Sequence, residues 1–221
     1  MTTDIITAWH FALSRDRLRY TDAPLVVGEW LPPIADPALC ERGYHASRSA
    51  MDALSYAPGP WVSRVELRGV VADTHDKLAA AERKHLWIAD ATEALRAFAR
   101  WCASQVLHLW DAPQVVRDYL ATGDENIRDA ARAASRAAGY ASRAAAWYAA
   151  GDAAGAAWAA RAAEWAAEWD VARDVAWDAA EAAARAAARD VAWDAAWAAE
   201  RQKQNAQLET MLLALAPEVA A

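Results

Sequence analysis

The chain has 221 residues, 56% of them hydrophobic, and a formal net charge of −7. That is enough apolar material for one large or two small domains, with the wrong sign of charge for a sequence-independent grip on nucleic-acid phosphates. Cys40 and Cys102 lack C-x-x-C spacing, no apolar run is long enough to span a bilayer and no signal peptide is evident, so the composition predicts a soluble cytoplasmic protein with free thiols and no membrane partner.

Strand chemistry fills the first seventy residues. Ile5, Ile6, Trp9 and Phe11 form one apolar run, Leu25 to Leu31 a second with Val26, Val27 and Trp30, and Trp61 to Val71 a third. In the third, Trp61, Ser63, Val65, Leu67 and Gly69 alternate with Val62, Arg64, Glu66 and Arg68, the period of a half-exposed strand. Turn residues separate the runs, as at Pro32-Pro33, Asp36-Pro37 and Pro58-Gly-Pro60. Between them, residues 49–56 predict a short helix with Ser47 or Ser49 as its cap. Residues 1–75 thus predict a small, mainly antiparallel sheet with one short helix.

Helix vocabulary follows. Residues 76–123 read as connecting helices: a turn or two over Lys77 to His85, then a helix opened by the capping box Asp90-Ala-Thr-Glu93, with Leu95, Phe98, Trp101, Cys102, Val106 and Leu109 along one side. A further helix starts after Asp111-Ala-Pro113 and stops at Gly123. Residues 124–221 read as an Ala/Trp-rich helical array, which makes the fold class α+β. From Asp111 onward the chain carries 17 acidic and 11 basic residues, so most of the net negative charge sits here.

Inside the array one position in four from Arg161 to Arg201 is large or charged, and residues 172–180 recur unchanged as residues 188–196. Each step of four advances about 40° around a helix, so the Trp set winds around a straight rod. One long helix wrapped by its neighbours or several shorter stacked helices would bury it, and the lack of Gly or Pro between Gly155 and Pro217 favours the long helix. Trp165, Trp169, Arg173, Trp177, Arg189, Trp193 and Trp197 form a candidate contact surface of stacked Arg and Trp. A column of Asp170, Asp174, Asp178, Asp190 and Asp194 beside it disfavours phosphate and favours a protein partner or self-association.

A second candidate site is the run Cys40-Glu-Arg-Gly-Tyr-His-Ala-Ser47. Gly43 marks a turn, and a pocket around Tyr44, His45 and Tyr56 would suit a small nucleotide ligand. Cys40 with His45 could form a thiolate pair, although a buried thiol beside a hydrogen-bonded His accounts for the same residues. His10, His45, His75, His85 and His108 include no i,i+4 pair, and no Gly-rich phosphate loop or nucleophile elbow appears. No metal, cofactor or catalytic residue is therefore expected.

Ala8-Trp-His-Phe11, Val27-Gly28, residues 39–47, Asp52-Ala-Leu54, Tyr56-Ala-Pro-Gly-Pro60, Val65-Glu-Leu67, Gly69 and Asp76-Lys77 together resemble an uncharacterised domain of phage and prophage proteins over about residues 5–120. The resemblance implies a mobile-element setting and no activity. Gly43-Tyr-His-Ala-Ser47, Ser49-Ala50, Tyr56 and residues 61–67 also follow the order of the ADP-ribosyltransferase fold, but His10 is followed by Phe11 where that fold places glycine, and no catalytic Glu can be assigned. The leading expectation is a non-enzymatic phage interaction or assembly protein, one that could block a host factor. The alternative is a nucleotide-ligand binder or a degenerate domain of that transferase type.

Overall fold

The computed structural model describes residues 4–19, 23–148, 172–187 and 193–217. It is α+β, with two compact units: residues 1–92 with the C-terminal residues from Leu208, and residues 93–207.

The first unit is a four-stranded antiparallel sheet: β1 (Ile6–Ala12), β2 (Tyr44–Ala46), β3 (Trp61–Asp73) and β4 (Leu78–Asp90), in spatial order β1-β3-β4-β2. The sheet curls until its edge strands meet. Trp9 and Ser47 exchange backbone hydrogen bonds at 2.8 and 2.9 Å, linking β1 to the end of β2 and leaving little open edge. Helix α1 (Ala50–Ser55) packs against β1, and its N-cap Ser49 accepts from the Asp52 backbone N–H at 3.1 Å, as its sequence predicts.

Strand β4 corrects the helical expectation for Lys77 to His85. Its three consecutive alanines, Ala79 to Ala81, favour a helix locally. The pairing with β3 along nearly its whole length outweighs that preference, since propensity yields to tertiary contacts. The sheet accordingly continues past residue 75 to Asp90. The second apolar run is also not a strand. Residues 28–34 lie along β4 through hydrogen bonds from Gly28, Leu31 and Ile34 N–H to the carbonyls of His85, Arg83 and Ala81, while Val26 and Val27 stay about half exposed. A turn with Gly28 at φ 87° and the prolines at 32 and 33 break up any regular ladder there.

A bulge decides which side chains face inward. Arg64 pairs with Trp87, but Val65 pairs with His85, so Leu86 is the extra residue. In a regular strand His85 and Trp87 share a face; the bulge puts them on opposite ones. On one face Trp9 meets Trp87 edge-on at 6.0 Å, with the Arg64 guanidinium 4.6 Å from the Trp9 ring. Glu209 Oε1 closes that layer, accepting from Trp9 Nε1 at 3.1 Å and from the Ala50 N–H at 3.3 Å. The opposite face carries the core cluster of Ala8, Ala46, Val65, Leu67, Leu78 and Ala80 and, beside it, His10, Ser63, Arg83 and His85.

The second unit is helical: α2 (Thr92–Gln105), α3 (Gln114–Thr122), α4 (Arg128–Tyr148), α5 (Ala172–Ala187) and α6 (Trp193–Leu213), whose last residues belong to the first unit. Asp90 Oδ1 accepts from the Thr92 N–H at 2.9 Å at the start of α2. Gly123 ends α3 in the left-handed conformation at φ 71°, as expected of a C-terminal glycine. Helices α5 and α6 lie side by side, which corrects the single long helix. Trp177 and Trp197 would stand about 30 Å apart on one helix, yet their ring centroids are 4.7 Å apart. Buried Gln204 also donates through Nε2 to the Ala176 carbonyl at 2.8 Å. Alanines 176, 179, 180, 182 and 184 are fully or nearly fully buried, allowing the backbones this close approach.

Candidate functional site

The strands and the loop before β2 enclose a cavity of about 590 Å³ within the first unit, inside the size range of small-molecule sites. Tyr44, His45 and Tyr56, the sequence-level candidates, all line it. So do His10, Lys77 and Arg83, which sequence reasoning did not single out as a site. The charge balance differs from that of the whole chain: among the described residues, Arg17, Arg19, Arg42, Lys77 and Arg83 line the cavity with one carboxylate, Glu41.

Arg83 is the residue that defines the floor. It reaches inward from β4 and is only 5% exposed. Its Nη1 donates to the His45 carbonyl at 3.0 Å and to His10 Nδ1 at 3.2 Å, its guanidinium carbon lies 5.2 Å from the Tyr44 ring centre, and its Nε has no partner. No carboxylate lies within ion-pair distance among the described residues. The acids on adjacent registers are committed elsewhere, Glu82 to Arg68 and Glu66 to Lys84. Burial pulls the guanidinium down from 12.5 to about 10, and nearby Tyr44 offsets this only in part. A buried cation without a counter-ion costs several kcal/mol, so this one needs a reason to be there.

Two histidines share the floor. Arginine can only donate, so His10 Nδ1 accepts and the neutral ring carries its proton on Nε2. Burial first, then Arg83 and His85, hold His10 well below the ordinary imidazole value. His85 is fully buried; its Nδ1 meets Ser63 Oγ at 3.0 Å and its ring lies 5.8 Å from His10. Burial and then Arg83 push it down to about 2. Both rings are neutral at physiological pH, leaving Arg83 as the charge of the floor.

The mouth is built by the turn between β3 and β4, the residue after α1 and the loop over residues 36–43. Lys77 Nζ lies 3.6 Å from the Tyr56 ring centre and 3.5 Å from Cys40 Sγ. Tyr56 donates its O–H to Asp76, and that bond raises the phenol to about 12. The Cys40 backbone N–H donates to His45 Nε2 at 3.1 Å. Burial, followed by Lys77 and Arg83, lowers the His45 imidazole, while a backbone hydrogen bond to Gly43 pulls it back up. Cys40 is thus exposed and joined to His45 through its backbone; the buried thiol is Cys102, and both are free. The loop is strained, with Asp36 at φ 47° and Cys40 at φ 65°, conformations that cluster at ligand sites. Gly43 at φ 132° is required here because a Cβ would meet Pro37 at 3.1 Å and the Ala80 carbonyl at 3.3 Å.

The array candidates fare differently. Trp177 is 52% exposed beside Trp197 in the second unit. Arg173 and Trp193 lie on α5 and α6, but their side chains, like the whole of Trp165, Trp169 and Arg189, lie outside the described residues. Asp178 is 2% exposed, so the acidic column does not stand wholly on the surface. Among the described residues no cluster of His, Cys, Asp or Glu could hold a metal ion, and no helix is long and apolar enough to cross a membrane. No protein-family model matches the chain, and no curated protein or solved structure matches it.

Proposed function

We propose that the first unit binds a small phosphate-bearing ligand of the nucleotide class, with Arg83 as the anchoring cation. The observation that supports this is the buried guanidinium, without a carboxylate and with Nε unpartnered, on the floor of a cavity whose lining is predominantly cationic. Planar guanidinium groups match phosphate oxygens two at a time, and an entering anion would supply the missing counter-ion. Tyr44 and Tyr56 give the cavity aromatic surface for a base or sugar. The role is binding rather than turnover, because His10 and His45 are engaged in holding Arg83 and the 36–43 loop. Thermal-shift titration against phosphate, AMP, ADP, ADP-ribose and NAD tests it. A ligand at a hundred times its dissociation constant stabilises by about 2.7 kcal/mol, and a flat response across the panel at millimolar concentration refutes the reading.

A second reading, a protein-contact or self-assembly role, is favoured by the exposed Trp177 packed edge-on against Trp197. Large aromatics left at a surface are enriched at interfaces.

A further inference from the structure

We infer that the ligand carries two anionic groups, one seated on Arg83 and the other on Lys77, as a diphosphate does. This rests on the binding reading above and narrows its ligand class.

Two cations face the same cavity without carboxylates, and His45 lies between them. Arg83 holds the His45 backbone carbonyl at 3.0 Å; at the far end of the residue, ring Nε2 accepts the Cys40 N–H at 3.1 Å, and Cys40 Sγ touches Lys77 Nζ at 3.5 Å. His45 and Cys40 thus form the path of contacts that links the two cations along the cavity wall.

The turn that carries Lys77 also holds two carboxylates, and neither one neutralises it. Asp76 uses Oδ2 for the Tyr56 hydroxyl and Oδ1 for Thr74 Oγ1 at 3.1 Å. Asp73 forms an ion pair with Arg48 at 2.6 Å. Lys77 rests instead on the face of Tyr56. An acid adjacent in sequence is thus directed away from the lysine, as Glu82 and Glu66 are directed away from Arg83. One phosphate would balance the floor and leave the mouth unbalanced; two linked phosphates balance both.

Calorimetric titration of the full chain with inorganic phosphate and inorganic pyrophosphate tests the inference. Pyrophosphate is expected to bind tighter by about tenfold or more, the effect of one added charge pair in a partly desolvated site. Lys77→Ala should bring pyrophosphate down to the phosphate level while leaving phosphate itself within about twofold. Lys77 sits in a turn, so this variant carries little folding risk, and circular dichroism checks it. Pyrophosphate should also slow thiol-reagent labelling of Cys40 in the wild type and not in Lys77→Ala, with buried Cys102 as the internal control. Equal affinity for the two anions, or an unaltered pyrophosphate affinity in Lys77→Ala, overturns the two-anion ligand while the Arg83 site stands. No binding of either anion overturns both.

Discussion

Replacing Arg83 with methionine separates a residue kept for a ligand from one kept for the fold. Burial lowers the guanidinium from 12.5 to about 10, which at 1.36 kcal/mol per unit is a penalty of about 3 kcal/mol on the charged form. The folded value is the lower one, so the penalty is fully present at every pH below about 10 and is relieved only as pH rises through that value. Arg83→Met removes it and fills similar volume. The substitution also strips the donor from the His45 carbonyl and from His10 Nδ1, together costing about 2 to 4 kcal/mol. The two effects nearly cancel, so the ligand-free variant should lie within about 1 kcal/mol of the wild type, whereas breaking a paired buried charge costs about 3 to 5 kcal/mol. Urea unfolding followed by tryptophan fluorescence, with unchanged slope as the check on comparability, measures this. A loss of about 3 kcal/mol or more would show that Arg83 is a structural partner and refute the reasoning.

Acid should destabilise the first unit earlier than its carboxylates alone would. His10 and His85 are held neutral in the fold, while in the unfolded chain they protonate near pH 6.5. Stability present above that value is therefore lost as pH falls below it, at up to about 1.4 kcal/mol per pH unit for each ring; urea midpoints between pH 7 and 5 should show it, and His85→Asn should make the dependence shallower. If the exposed face of Trp177 meets a second copy, light scattering during size exclusion at tens of micromolar should find the wild type larger than a monomer and Trp177→Ala shifted toward one. A strictly monomeric wild type refutes that contact.

Local signals were legible where they coincided with tertiary ones. The alternation in residues 61–71 and the Ser49 cap lead directly to β3 and α1, because side-chain period and burial agree there. Lys77 to His85 misleads because its alanines favour a helix and the strand forms only through a long partner. The site suffers from the same problem. Tyr44, His45 and Tyr56 stand out as aromatic and polar residues around a glycine turn, but Arg83 reads as one more charge in Glu82-Arg-Lys-His85. What places Arg83 and His85 on the face of His10 is the bulge at Leu86, and a bulge leaves no mark in a period-two pattern until the partner register is known. In the array the tandem repeat conveys close packing but not chain reversal, since an Ala/Trp sequence without Gly or Pro favours a long helix locally and only the packing of Trp177 on Trp197 selects a pair of shorter ones.

The charge of the molecule and the charge of the cavity point in opposite directions, and together they bear on the size of the ligand proposed above. The cavity lining contributes a net +4, while the first 110 residues as a whole sum to −1, so the rest of that stretch carries −5. At physiological salt, charges more than about 8 Å apart are largely screened, and a small anion inside the cavity responds mainly to the cations that line it. A nucleic-acid strand extends well past that distance and meets the net negative charge of the rest of the chain as well. A cationic lining in a chain of net −7 therefore supports a short phosphate-bearing molecule over a polymeric one as the ligand we propose for the cavity of Arg83.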